Sequence, residues 1–424
     1  MPLDPVRRFA TSLTRWQKIA LAAWCIVLVV VCIRAAIWPN THTVYPIFSL
    51  ASRNWLAGVN LYAPTHLDYY RYSPLVAAAF IPFGLLPIWL GGAVWRLVGA
   101  AVYAVALIWW CRFMTAPSVK QQAGEVGFGQ AQTSQDKNWL TLFFLLALPL
   151  SVDNLNNGQS NLLMIGLIMF SVVACGRELW SLAAVCAAAA CLLKIYPVVI
   201  AMLLSVAHPR RFAPRFVIAL AAGILLPFVL QRPSYVLEQY QSWAQQLGHG
   251  DRLGQSLVLW YRDLRLLARL CGIQLTATTY ALIQAIAGAG SAAMCLAALR
   301  RGWPRHEMAL LVLGLGSCWM TVFGIAAETA TYVIVAPVAS WCVVDAWRLQ
   351  RPIGERYAYL GVYLLFVLAR AAGSNEITRP LGMVAQPVSA LLLFGILLGT
   401  RLWRIRWNPR AANPDAFPSP AQAA

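Results

Sequence analysis

The chain has 424 residues, 60% of them hydrophobic and 11% charged, with a formal net charge of +18. A soluble protein carries roughly a quarter charged residues, so this composition excludes a soluble enzyme or scaffold and describes an all-α polytopic membrane protein. The surplus of bases does not mark a nucleic-acid binder, because the arginines fall in short loops beside apolar spans, where membrane topology accounts for them. Among the cysteines only Cys271 lies in a polar loop; the others sit in apolar spans and act as small core residues. No Cys-x-x-Cys pair and no His-rich cluster frames a disulfide set or metal site. No cofactor is expected from these residues, with a divalent metal left open.

In chain order, Arg7, Arg8, Arg15 and Lys18 precede the first apolar span, near 20–38, which lacks a small-residue cleavage site and reads as an anchor. The first outer loop follows, 39–87. Within it Phe48, Leu50, Trp55 and Leu56 recur at helical spacing beside Ser49, Ser52, Arg53 and Asn54, the pattern of a helix lying along a membrane surface. Gly58 is placed to end that helix. The stretch Asp68-Tyr69-Tyr70-Arg71-Tyr72-Ser73-Pro74 then sets an acid and a base three residues apart among tyrosines. The apolar run 73–87 holds Pro82 and falls short of the ~20 residues that cross a bilayer, so it reads as interfacial or re-entrant.

Further spans fall near 89–111, 139–152, 160–175, 180–193, 196–207, 216–231, 277–299, 308–323, 332–347, 357–372 and 382–403, which makes about 12 transmembrane helices in a single domain, 1–424. Between and after them lie a flexible cytoplasmic loop at 114–137, an outer amphipathic loop at 232–276 and a flexible cytoplasmic tail at 409–424. With the N-terminus inside, every basic cluster between spans lands on the cytoplasmic side, among them Arg210/Arg211/Arg215 and Arg300/Arg301/Arg305. That parity holds only if 73–87 does not cross. It places both termini in the cytoplasm and the unusual polar residues on the outer face of the cell membrane.

Several constellations fall on that outer face. The segment 153–161, with Asn154, Asn156, Asn157, Gln159 and Asn161, is dense in amides that either cap helices or hold the hydroxyls of a ligand. Lys194 stands where two short spans meet in Lys-Ile-Tyr-Pro; it either snorkels to the headgroups or turns inward to meet a phosphate. In the 232–276 loop, Val236, Leu237, Tyr240, Trp243, Ala244 and Leu247 predict one amphipathic helix, and 257–270 predicts a second carrying Arg262, Arg265 and Arg269, a stripe that faces solvent or grips an anionic headgroup. Glu328, alone at the end of an apolar hairpin, needs a cavity or a partner. His42, His66 and His249 read as surface histidines.

These pieces, taken together, resemble bacterial glycosyltransferase family 87, mannosyltransferase-like membrane enzymes of the GT-C fold. The matching residues are Val44-Tyr45 with Ala51-x-x-x-Leu56-Ala57-Gly58-x-x-Leu61-Tyr62, Tyr72-Ser73-Pro74-Leu75 with Pro82-x-x-x-Leu86-Pro87, Asn157-Gly158-Gln159-x-Asn161, Lys194-x-x-Pro197, Gln255-Ser256-Leu257 with Arg262, and Glu328-x-x-x-Tyr332 with Pro337. The resemblance implies a polyprenyl-phosphate-linked sugar donor, a lipid or glycan acceptor, contact with membrane lipids, and a large first loop over the site. It also implies an acid just before Val44, acting as general base; Thr41, His42 and Thr43 stand there instead, and Gly254 replaces an asparagine. Transfer to a hydroxyl needs a group that takes its proton. The replacements open to this chain are Asp68, the first loop's sole carboxylate, and His42 at nearly the expected position, with Asp153 and Glu328 behind them. Arg71, Lys194 and Arg262 are expected at the lipid-linked phosphate, and Tyr72, Asn157, Gln159, Gln255 and Glu328 around the sugar. Two rival readings stand beside the transferase: a transporter or flippase for a lipid-linked saccharide, which predicts inverted repeats, and a family member that binds lipid-linked sugar without turning it over.

Overall fold

The computed structural model describes residues 14–65, 67–116, 129–248, 257, 260–324, 327–373 and 379–407, and all regular structure among them is helical. Helices occupy every position where the apolar runs predict a span. Among the described residues, seven stretches are long and apolar enough to cross a membrane by length and composition. This is an all-α polytopic membrane protein.

Helix α1 (Arg15–Ile37) starts on a capping box at Thr14 and packs on α5 (Ile88–Met114) and α6 (Gly129–Asn157). Between α1 and α5 the first loop folds into α2 (Tyr45–Ala57), α3 (Pro74–Ala79) and α4 (Ile81–Gly84). Gly58 ends α2 in the left-handed conformation (φ 67°) that a side chain resists. The apolar stripe of α2 turns into the protein: Tyr45, Phe48 and Trp55 are buried, while Leu56 at the helix end stays exposed. Phe80 interrupts the 73–87 run, leaving two helices of 6 and 4 residues. At 1.5 Å per residue neither approaches the ~30 Å of a bilayer core.

Three short apolar helices follow α6: α7 (Asn161–Gly176), α8 (Trp180–Leu193) and α9 (Val198–Ala207). Next come α10 (Ala213–Leu230) and α11 (Pro233–Gly248). α11 clamps the first loop from above. Its Gln239 Oε1 accepts from Leu61 N at 2.8 Å, and its Tyr235 hydroxyl donates to the Val59 carbonyl at 2.8 Å.

The second amphipathic helix is shorter than the apolar pattern predicts. It is α12 (Leu264–Leu270), because Asp263 accepts from Leu266 N at 3.2 Å and caps the helix there. Arg262 therefore stands before the helix and leaves the predicted stripe. Beyond it run α13 (Ala277–Arg300), α14 (Arg305–Val322), a 3-10 turn (Thr329–Ile334), α15 (Ala336–Arg348), α16 (Ile353–Gly373) and α17 (Arg379–Trp407). The stretch Thr329–Arg348 is 94% buried and forms the centre, whereas Ala213–Leu230, 11% buried, lies at the periphery.

A buried ion network ties α14, α15 and α17 together at one end, through an arginine of the segment between α15 and α16. Glu307 of α14 pairs with Arg401 of α17 and, at 3.0 Å, with Arg351, whose guanidinium also meets Asp345 of α15 at 3.8 Å. Arg401 is only 2% exposed. Removing one partner of such a pair leaves an uncompensated buried charge, so Glu307→Gln is expected to destabilise the fold by on the order of 3–5 kcal/mol. A thermal-unfolding scan in detergent checks it: the variant melts well below the wild type.

Candidate active site

The candidate site is built where α6, α7, α8 and α9 change direction. α6 runs through Asn157, the chain turns at Gly158 (φ 69°), and α7 begins at Asn161. The amide segment is thus a helix end and a tight corner rather than a free loop. Ser160, the N-cap of α7, makes no capping hydrogen bond, so capping does not explain its hydroxyl. Asp153 lies on α6 and is engaged with Arg370 of α16 at 3.1 Å.

The corner is gripped from within by Arg96, a buried guanidinium in the apolar first half of α5. Its Nε donates to the Leu155 carbonyl at 2.9 Å and its Nη1 to the Gly92 carbonyl at 2.8 Å. Its Nη2 donates to the Asn156 carbonyl at 2.8 Å and to Thr43 Oγ1 at 2.9 Å. Val44 N donates to the Asn157 carbonyl at 3.0 Å, so the first loop is stitched to the corner as well. Sequence reading missed Arg96. The signal was available: a charge inside an apolar span marks function by default.

A line of polar side chains crosses the corner. Lys194, extended at the end of α8 (φ −150°, ψ 145°), turns its ammonium inward and donates to Asn161 Oδ1 at 2.7 Å. The Tyr196 hydroxyl donates to the same oxygen at 3.1 Å. Asn161 Nδ2 donates to Gln159 Oε1 at 2.7 Å, and Gln159 Nε2 donates to Glu328 Oε2 at 3.2 Å. Glu328 is fixed at the start of the 3-10 turn by a reciprocal cap with Thr331. Lys194 also lies 5.7 Å from the Tyr72 ring and 5.6 Å from the Tyr196 ring, a cation–π arrangement. Burial pulls the Lys194 ammonium down to about 8, with Glu328 opposing that pull. Snorkelling is thereby ruled out for Lys194, whose charge points into the protein.

Arg71 borders this line. Its Nη1 donates to the Tyr261 hydroxyl at 2.7 Å, its Nη2 meets Asp68 Oδ1 at 3.6 Å, and its charge feels Glu328. Asp68 is 58% exposed, so its carboxylate opens to solvent at the rim. Two buried acceptors in the corner, Asn154 Oδ1 and Asn157 Oδ1, meet no donor among the described residues. Buried acceptors are ordinarily satisfied, and the hydroxyls of a sugar would satisfy these.

The structure therefore brings Arg71, Tyr72, Asn157, Gln159, Lys194 and Glu328 together, with Asp68 at the edge, and adds Tyr196, Tyr261 and Arg96. His42 is exposed, with a left-handed backbone (φ 51°), beside the Arg96 acceptor Thr43. Arg262 is buried, donates from Nη1 to Gln386 of α17 at 2.6 Å, and receives the Tyr332 hydroxyl on its carbonyl at 2.6 Å. Its backbone N donates to Ala327 at 2.7 Å, which sets the approach to Glu328. Arg262 thus positions the acid's segment. Gln255 lies outside the described residues, as do His66 and His249. Among the described residues, no three His, Cys, Asp or Glu side chains gather as a metal would require.

Gly158 is required twice over: its φ is left-handed, and a Cβ there would stand 3.1 Å from the Arg96 guanidinium. Gly158→Ala is expected to destabilise by about 1–3 kcal/mol, read as a lowered melting temperature, and to displace the amide corner.

Residues 70–323 match the sequence profile of glycosyltransferase family 87. No curated protein matches the chain. The profile takes in Arg71, the amide corner, Lys194 and Arg262, whereas His42, Asp68 and Glu328 fall outside it. Since the match covers more than half of the 424 residues, on a frame of membrane-crossing helices, the chain belongs to glycosyltransferase family 87, a family of membrane glycosyltransferases.

Proposed function

We propose that the protein is a GT-C-type hexosyltransferase that moves a mannose-like sugar from a polyprenyl-phosphate donor to a hydroxyl of a lipid or glycan acceptor. On this reading the site faces the outer side of the inner membrane and serves the cell envelope. The observation that carries it is the Lys194–Asn161–Gln159–Glu328 line beside Arg71: cations suited to a phosphate, next to neutral amides suited to sugar hydroxyls. Lys194 and Arg71 hold the donor phosphate. Asn157, Gln159 and Ser160 hold sugar hydroxyls, Tyr72 forms one wall, and Glu328 orients both Gln159 and the field around Lys194.

Transfer is a single displacement with inversion. The acceptor oxygen bonds to the anomeric carbon as the bond from that carbon to the phosphate oxygen breaks. The electron pair leaves on the phosphate, where Lys194 and Arg71 stabilise the growing charge. The acceptor proton goes to Asp68, exposed at the rim where an incoming hydroxyl arrives; His42 is the alternative base. A second reading, binding of lipid-linked sugar without turnover, draws on Thr43: a hydroxyl stands on Arg96 where the family resemblance implies an acid.

The deciding assay is transfer of radiolabelled mannose from synthetic polyprenyl-phosphate-mannose by the purified protein in lipid, across a panel of acceptors. Product is expected, and Asp68→Asn is expected to lose roughly 10²–10⁴-fold in rate while donor binding persists. Full transfer by Asp68→Asn removes Asp68 from the mechanism and turns attention to His42→Ala. Bound donor with no product under any acceptor favours the second reading.

Lys194 gives a separate prediction. Burial pulls its ammonium down to about 8, so its charge is lost as pH rises through that value. Donor affinity should fall as pH rises past about 8. Lys194→Arg, permanently charged, should abolish that alkaline limb, which donor titrations at stepped pH will read.

A further inference from the structure

The far ends of the same short helices enclose a second feature. α7 and α9 run away from the candidate active site and α8 runs toward it, so Gly176, Trp180 and Ala207 lie at the opposite end from Asn161, Lys194 and Val198. There, with the ends of α13 and α14, they surround an open cavity of about 270 Å³. That approaches the roughly 300 Å³ at which small-molecule sites begin. Its wall is apolar, formed by Val172, Leu204, Met308 and Val312. Its mouth carries Glu178, His208, Arg211 and Arg305, flanked by Trp180 and Trp303.

The mouth is electrostatically lopsided. Glu178, in a left-handed backbone conformation (φ 62°), pairs with Arg305 and, at 3.6 Å, with Arg211. The Arg211 guanidinium lies 5.6 Å from the Trp180 ring, which sits 4.9 Å from the His208 ring. One carboxylate is thus shared by two guanidiniums that remain 64% and 66% exposed. The connecting segments around the mouth add Arg177, Arg210 and Arg301, with Glu178 as their only acid, and Arg300 ends α13 beside them. An apolar interior opening on a cationic, tryptophan-flanked rim is complementary to an anionic amphiphile.

We propose that this cavity binds an anionic glycerophospholipid, with an acyl chain along the apolar wall and the headgroup phosphate between Arg211 and Arg305. Guanidinium forks match phosphate oxygens. A free phosphate would use the rim alone, whereas the half-buried Trp180 suits the place aromatic side chains occupy at a headgroup layer. Neither the donor nor the acceptor of the transfer reaction is needed for this site, which stands at the other end of α7, α8 and α9.

Native mass spectrometry of the full chain in detergent, titrated with phosphatidylglycerol or phosphatidylcholine, tests it. Phosphatidylglycerol should be retained in preference, and an Arg211→Gln/Arg305→Gln double variant should lose retention on the order of tenfold. Met308→Trp, which fills the wall and keeps the rim charges, should lose it independently. Thermal unfolding in the same detergent establishes that each variant scored is folded, and the two variants reach the cavity by unrelated routes. Equal retention of both lipids, or undiminished phosphatidylglycerol on the folded arginine variant, overturns the proposal. Inorganic phosphate binding as tightly as the lipid overturns it in favour of a free anion.

Discussion

The polar corner depends on one buried cation. Arg96 sits in the apolar first half of its helix, and its contacts with Gly92, Leu155, Asn156 and Thr43 all end on neutral oxygens. A guanidinium has five donors in a rigid plane, so it can hold four oxygens at once, one more than the three donors of an ammonium reach. Two of those carbonyls, Leu155 and Asn156, belong to the last turn of α6, which would otherwise fray into the turn at Gly158. With the turn fixed, Asn157, Gln159 and Asn161 hold defined positions, and Val44 can pair its backbone to Asn157. The cost of burying the charge is offset by dense hydrogen bonding, the condition under which such groups persist in a low-dielectric interior.

The second constraint is helix length. α7, α8 and α9 have 16, 14 and 10 residues, or about 24, 21 and 15 Å at 1.5 Å per residue. Each falls short of a ~30 Å hydrocarbon layer, so their corners can hold polar groups at both ends. At one end Lys194 is drawn under Tyr72 and Tyr196 and bound to Asn161. At the other, Arg211 and Arg305 rim the mouth of an apolar cavity. The same economy of length produces both features.

Much of this was legible from residue patterns. Apolar runs located the helices, Gly58 ended α2, and the shortness of 73–87 kept it from crossing, because those signals are local and chemical. Lys194 also pointed inward as its Lys-x-x-Pro corner implied. What escaped required tertiary knowledge. The 257–270 pattern has helical periodicity throughout, yet Asp263 captures Leu266 N and starts the helix late, which strands Arg262 against Gln386. Periodicity cannot weigh a cap against an extra turn. Tyr196 and Tyr261 gave no signal beyond being tyrosines; their roles come from reaching Asn161 and Arg71 across 35 and 190 residues of chain.

The Thr43 position joins these threads. A carboxylate at this place would meet the Arg96 guanidinium as an ion pair, with its charge committed to a buried partner. Threonine keeps the hydrogen bond, and so keeps the loop stitched to the corner, but it cannot take a proton at neutral pH. The structural half of the position is thus retained while the proton-accepting half is absent. On the proposed transferase reading, proton transfer must then come from a group that the Arg96 network does not need. Asp68 satisfies that condition: its carboxylate is exposed, its partner Arg71 belongs to the phosphate side of the site, and both lie on the same first loop as Thr43. Separating the loop's anchor from its base lets one change without unfolding the other.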